Sequence, residues 1–326
     1  MPHGNLLHLE KLGTAEGHHR ASERRIWQEV LLYDYCDRHA AWIPGCFQIA
    51  CLDMSADAAL VVRDLRKVYQ ISGRPPLCAV DGISFEIGKG ECFGLLGPNG
   101  AGKSTSMNCI TGFYPATSGE VRLLGIDVHL DPRKARHRLG VCSQEDTLDS
   151  DFSVLDQMIR YGTYFGRNVE VVRPRAEALL ARFGLTDKQD DLVESLSGGM
   201  RRRLQVARAL ISEPEVLILD EPTTGMDPEV RRVLWDIIGE CRTQGLAILL
   251  STHYMEEAQR LCNRVAILHR GKILDCDSPQ ELISRHVGEE MVEEEIRPGV
   301  RWRRPSNLED VYLKLTGKHL ENGAAS

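Results

Sequence analysis

Eight consecutive residues, Gly97-Pro98-Asn99-Gly100-Ala101-Gly102-Lys103-Ser104, fit the pattern G-x-x-x-x-G-K-[ST], and Thr105 follows them. They follow a strand-like run, ECFGLL, and lead into a helix-like segment, which is the setting the pattern requires. Glycines allow successive backbone N–H groups to turn toward one anion, and a helix N-terminus adds its partial positive charge. Lys103 has the length to reach the β- and γ-phosphates of a bound nucleotide, and the Ser104 hydroxyl is placed to ligate Mg2+. The plainer alternative is a glycine-rich turn that binds nothing. Strand, spacing, lysine and hydroxyl together set it aside.

A second chemical group lies far downstream, in VLILDEP, where an apolar run ends in Asp220-Glu221. An Asp at a buried strand end can hold Mg2+, and an adjacent Glu pointing elsewhere can act as general base on an attacking water. AILLSTH ends another apolar run at His253, placed to hydrogen-bond the terminal phosphate and respond to its loss. A surface His at a strand end is the plainer reading there. LGVCSQ ends at Gln144, which could touch both metal and lytic water; an isolated Gln is ordinarily polar surface, and only its placement singles it out. The pentapeptide Leu196-Ser197-Gly198-Gly199-Met200 is different. It has one hydroxyl and two glycines but no base, strong nucleophile or metal-ligand cluster, and it precedes the basic run RRRLQVARAL.

These residues need a scaffold. CFGLLG, LGVCSQ, VLILDE and AILLSTH are short, apolar, and end abruptly in polar residues. That pattern predicts parallel strands buried on both faces, with chemistry at their carboxyl ends. LVVRDLRKVY, GISFEI and EVRLLG read as half-buried strands joined by turns. The regular pattern runs from about 56 to 278. Before it, residues 1–55 are mixed and rich in His and Cys, with one amphipathic helix expected around SERRIWQEVLLYDY. A start at Met54 would leave the core intact, so residues 1–53 are expected to be a disordered extension or a mis-assigned start. Cys36, His39, Cys46 and Cys51 match no zinc spacing. The tail, 279–326, carries the acidic GEEMVEEE and the basic RWRR, which predict a solvated face or a local salt ladder. It then predicts a helix with Ser306 and Glu309 as capping box, an apolar face of Leu308, Val311, Tyr312 and Leu315, and Gly317 as its stop.

The bulk composition bounds the function. With 40 basic and 47 acidic side chains, the net charge of -7 argues against a mainly electrostatic nucleic-acid binder. No run approaches the roughly 18–20 apolar residues of a membrane-spanning helix, so any membrane role is expected to come through a partner. Ten scattered cysteines without a CxxC pair point to a reducing compartment.

GPNGAGKST, SQ, LSGGM, LILDEP, GMD and STH resemble, in order and spacing, the nucleotide-binding subunit of ABC transporters, over about residues 60–276. The resemblance implies an α/β fold, the P-loop NTPase core of an ABC ATPase: a mainly parallel buried sheet with helices, an antiparallel β subdomain, and a helical signature subdomain at about 144–205. It implies a head-to-tail homodimer that traps two ATP molecules with Mg2+. Ser197, Gly198, Gly199 and Met200 would form the signature completing the partner's site, with Ser197 and the Gly199 backbone on its γ-phosphate. Met200 departs from the commoner LSGGQ but leaves those contacts intact. By the same resemblance Tyr69 stacks on adenine, and Asp227 lies in the loop coupling the two sites.

ECFGLLGPNGAGKST, LSGGMRRRL, DEPTTGMDP and the closing NLEDVYLKLTGK are similar to the ATPases of the drug-resistance and Nod-factor (lipo-oligosaccharide) export group. These pair with a separate multi-helix permease. The implied place is the cytoplasmic face of a bacterial inner membrane. A competing reading is a non-transport ABC ATPase acting on ribosomes or DNA. Translation factors of that kind carry two nucleotide domains per chain, and repair relatives insert a long coiled coil or metal modules between phosphate loop and signature. Here there is one domain and neither insertion. A module that regulates without hydrolysing is disfavoured by the presence of both Glu221 and His253.

Overall fold

The computed structural model describes residues 58–288, 291–297 and 300–317. The helix expected around SERRIWQEVLLYDY, the four residues Cys36, His39, Cys46 and Cys51, and the expected extension before Met54 lie outside them.

Four strands make an antiparallel sheet in the order β2-β1-β4-β5: β1 (Ala58–Tyr69), β2 (Leu77–Gly88), β4 (Ser118–Leu123) and β5 (Ile126–Asp127). Six make the central sheet in the order β10-β9-β3-β8-β7-β6. These are β3 (Cys92–Leu96), β6 (Leu139–Cys142), β7 (Val216–Asp220), β8 (Ala247–Thr252), β9 (Arg264–His269) and β10 (Lys272–Asp277). All neighbours in it are parallel except β10 against β9. The four apolar runs are therefore parallel strands as expected, and β9 and β10 extend the sheet beyond them.

Why those strands are apolar throughout follows from what covers them. Every residue of β3, β7 and β8 is buried. Side chains alternate between faces with a period of two. Val216 and Ile218 of β7 join one core, with Phe93, Leu95, Val62, Ile83 and, from helix α1 (Lys103–Ile110), Met107 and Ile110. Phe85 stacks on Phe93 with ring centroids 4.7 Å apart, tying the two sheets together.

Leu217 and Leu219 join the other core, formed with helices. These are α3 (Val154–Tyr164), α4 (Val169–Arg182), α5 (Gly198–Ala209), α6 (Pro228–Thr243) and α7 (Met255–Leu261), contributing Met158, Leu180, Leu204, Trp235 and Ala258. The short α2 (Pro132–Arg136) precedes β6.

Register sets the working edge. Leu96 lies beside Thr252, Asp220 beside Ser251, and Cys142 beside Leu219. The carboxyl ends of β3, β6, β7 and β8 are thus level, and the loops after them emerge side by side.

The tail carries one correction. Helix α8 (Pro279–His286) leads to a hairpin of β11 (Met291–Arg297) and β12 (Val300–Pro305). Its register sets Glu293 opposite Arg303 and Glu295 opposite Arg301, so the acidic and basic clusters are paired strands. The final helix, α9 (Leu308–Thr316), is capped by Asn307 and Asp310, not by Ser306 and Glu309. The Ser306 hydroxyl is engaged by the Gly288 carbonyl (2.8 Å), while Asn307 Oδ1 accepts from Glu309 N and Asp310 N. Arg304 adds a two-pronged pair to Asp310, at 2.7 and 2.8 Å. Leu308, Val311 and Tyr312 are buried as expected, and Gly317 ends the helix at φ 68°.

Candidate functional site

The loop from Gly97 to Gly102 arches between β3 and α1. Two of its glycines are dictated by other backbone passing close by. A Cβ at Gly97 would lie 2.4 Å from the Leu268 carbonyl, and one at Gly102 would lie 2.5 Å from the Ala79 carbonyl. Gly102 also has φ 106° and offers α1 no side-chain cap. The first-turn N–H groups are thus left to whatever anion the loop receives. Pro98 is half-buried, Asn99 and Gly100 form the exposed crest, and Ala101 is buried beneath it.

Lys103 is 4% exposed. Its ammonium donates to the Gly97 carbonyl (2.8 Å) and the Pro98 carbonyl (3.1 Å), and lies 3.2 Å from Glu221 Oε1. The charge is therefore held under the arch by the loop's own carbonyls. On the next residues of α1, Ser104 Oγ donates to Gln144 Oε1 at 3.4 Å, while Thr105 is half-buried.

At the end of β7 the two acids diverge. Asp220 Oδ1 accepts a short hydrogen bond from the Ser251 hydroxyl of the neighbouring strand. Glu221 turns into the left-handed region at φ 48°, rare for a residue with a side chain. Its N–H is tied to Ser251 Oγ (3.0 Å). Its carboxylate sits between Lys103 and His253, whose Nδ1 stands 3.3 Å from Oε2, within ion-pairing reach but not aligned as a hydrogen bond. The Thr224 hydroxyl donates to the same oxygen at 3.2 Å. Burial pushes the Glu221 carboxyl up, but His253 and Lys103 outweigh it and bring it down to about 2. Ser104, Gln144 and Asp220 each carry a hard oxygen of the kind Mg2+ takes. Among the described residues no cluster of three or more His, Cys, Asp or Glu could hold a metal unaided.

The structure gathers Lys103, Glu221 and His253 into one cluster and links Ser104 to Gln144. Other expected residues stand outside these contacts. Tyr69 ends β1 half-buried, with the Lys67 ammonium 5.0 Å from its ring centroid. Asp227 is exposed at the start of α6. Ser197 caps α5, accepting from Met200 N at 3.3 Å, and Met200 packs partly buried against the helical core. A Cβ at Gly198 would meet nothing within 4 Å, and one at Gly199 only Val230, at 4.0 Å.

Sequence reasoning passed over two groups. The first is on α5, where Gln205 donates to the Glu145 carbonyl and Arg208 to the Thr147 carbonyl, lashing the helix to the loop around Gln144. Arg202 belongs with them. The only signal was the i, i+3 spacing of polar residues within a basic helix. The second is Glu257, wholly buried one turn beyond His253. Its Oε1 accepts from Thr223 Oγ1 (2.8 Å) and Trp235 Nε1 (2.9 Å), joining α7 to the turn after Glu221 and to α6. Burial raises its carboxyl, opposed in part by Thr252, Trp235 and Thr223.

Comparison with known proteins gives a family and a fold. The sequence model of the family described as ABC transporter matches residues 80–224. Nod factor export ATP-binding protein I of Cupriavidus metallidurans is 39% identical over 306 residues, spanning 81% of this chain and 99% of its own. A solved structure titled as an ATP-binding subunit of an ABC transporter superposes with a TM-score of 0.65 at 25% identity, over 79% of this chain and 99% of that one. A dimeric ATP-binding cassette in a post-hydrolysis state, bound to ADP and Pi, shares the fold with a TM-score of 0.63 at 24% identity, over 67% of this chain and 98% of its own. The chain is an ABC transporter ATPase, and it belongs to the family that includes Nod factor export ATP-binding protein I.

Proposed function

We propose that two copies of this chain meet head to tail, each closing Ser197, Gly198 and Gly199 over the ATP held by the other's phosphate loop, and that closure drives a separate multi-helix permease in export. The observation that carries the dimer is the pair of glycines. Among the described residues nothing crowds either position, and glycine in a helix costs about 0.5–1 kcal/mol relative to alanine. Their bareness makes sense when a phosphate from outside must approach the backbone at the start of α5. A solved cassette of this fold is dimeric.

Chemistry at each site follows from the charges already in place. Gly97 to Thr105 cradle the phosphates and Tyr69 stacks on the base. A terminal phosphate competes for the Lys103 ammonium, which loosens its hold on Glu221. Burial then raises that carboxyl from about 2, making it a better proton acceptor for the attacking water. His253, on the other side, follows the terminal phosphate and its departure. Ser104, Gln144 and Asp220 would hold Mg2+, which when bound offsets charge on the phosphate oxygens. Asp227, at the head of α6, carries the state of one site to the other.

The ATP-binding domain spans 56–278, with α3, α4 and the head of α5 as its helical subdomain at about 144–205, and 279–326 is an appended tail. Among the described residues no helix is long and apolar enough to cross a membrane. We place the transport path in the permease and this chain on the cytoplasmic face of the bacterial inner membrane. Export follows the name of the relative, and choice of cargo falls to the permease.

The test is Glu221→Gln, tagged and expressed in its native host. It is expected to bind ATP, persist as a dimer on size exclusion, and fractionate with membranes beside a stoichiometric multi-helix protein. A monomer in saturating ATP removes the head-to-tail site. Recovery only from soluble ribosomes or DNA removes transport.

A further inference from the structure

Arg202 is 9% exposed and lies one turn into α5. A guanidinium has five N–H bonds to give, and here all five have acceptors. Nε donates to the Pro222 carbonyl (3.1 Å), and Nη2 to the carbonyls of Asp220, by a short bond, and Glu221 (3.0 Å). Nη1 donates to the Ser143 carbonyl, again short, and to Gln205 Oε1 (2.8 Å). None is a carboxylate. Three consecutive carbonyls at 220–222 converge on one group, although carbonyls along an extended strand alternate sides. The left-handed backbone at Glu221 is what turns them together. The fourth carbonyl belongs to the residue before Gln144.

We infer that Arg202 is a positioning residue for hydrolysis: it fixes the turn carrying Glu221 and the start of the Gln144 loop to the helix whose N-terminus, one turn away, serves the partner's nucleotide. The helix that reports contact with one ATP thereby holds the groups that act on the other. Lysine cannot replace it, since an ammonium has three donors and no planar fork. The inference rests on Glu221 as general base.

The full-length chain is made as Arg202→Lys, Arg202→Gln and Glu221→Gln, and each is followed by ATP turnover, ATP affinity, ATP-dependent dimerisation and thermal melting. Misplacing a reacting group by about 1 Å costs on the order of 100-fold. The Arg202 variants are expected to lose turnover on that scale, bind ATP within about threefold of wild type, and accumulate an ATP-bound dimer as Glu221→Gln does. A merely structural role would lower melting and affinity together and trap no dimer. Turnover within threefold of wild type overturns the inference. So does loss of the ATP-bound dimer, which would show that Arg202 serves the signature's contact with the partner and not the placement of Glu221. Should Arg202→Gln fail to fold, Arg202→Lys gives the same readings. Full turnover by Glu221→Gln would instead bring down the reading of Glu221, leaving a distinct signature from failure at Arg202.

Discussion

Two glycine-bearing segments each open a helix, and they are explained from opposite directions. From Gly97 to Gly102 the chain itself accounts for the residues: other backbone excludes a side chain at two glycines, and Lys103 is bonded to the loop's own carbonyls. At Ser197, Gly198 and Gly199 the chain supplies only a capping hydroxyl and open space. The first segment is finished by folding. The second, in the head-to-tail dimer we propose, is finished by association.

The largest test of that contrast is Lys103→Ala. It strips three acceptors of their cation and leaves Glu221 buried beside His253 and Thr224. Loss of one such electrostatic contact costs about 10²–10³-fold in rate, and turnover should fall by that much, with weaker ATP binding by equilibrium titration. The pH signature goes with it. A carboxyl lowered to about 2 stabilises the fold above 4.5, and that stability is lost as pH falls from 4.5 through 2. Acid titration of Lys103→Ala should show a smaller loss across the same window. An unchanged acid limb would remove Lys103 as a cause of the lowered carboxyl.

Gly198→Ala sharpens the other side. With nothing nearby to clash, it should raise stability in denaturant melts by about 0.5–1 kcal/mol while lowering turnover and ATP-dependent dimerisation roughly tenfold or more. A stabilised variant with full turnover would break the contrast.

The last test spares turnover and reads stability alone, at Glu257, which ties α7 to α6 and to the turn after Glu221. Glu257→Ala leaves Thr223 and Trp235 donors unmet and should cost about 1–3 kcal/mol. Glu257→Gln keeps an acceptor and should cost less. Because burial raises this carboxyl, wild-type stability from it is full below 4.5 and declines as pH rises toward the folded value. Glu257→Gln should lack that decline, and equal pH slopes would argue against a protonated Glu257.

What was legible in the sequence divides along a physical line. Parallel strands and the phosphate loop showed because burial on both faces and backbone crowding restrict residue type at each position. Arg202 did not show, because four of its five partners are main-chain carbonyls that leave no trace in residue identity. Glu257 read as one more charge on a short helix, since nothing local signals that Trp235 and Thr223 close over it. The cap of α9 was displaced by one residue because Ser306/Glu309 and Asn307/Asp310 both fit the pattern, and only the distant Gly288 carbonyl and Arg304 decide between them.

Strand parity gives the left-handed turn at Glu221 a further meaning. Val216 and Ile218 face α1, Leu217 and Leu219 face the helical core, and Asp220 keeps the even side. One more extended residue would have sent the Glu221 carboxylate to the odd side, away from Lys103. A single backward twist of the main chain takes the Glu221 carboxylate off the side the pleat would have given it and turns it to Lys103 and His253.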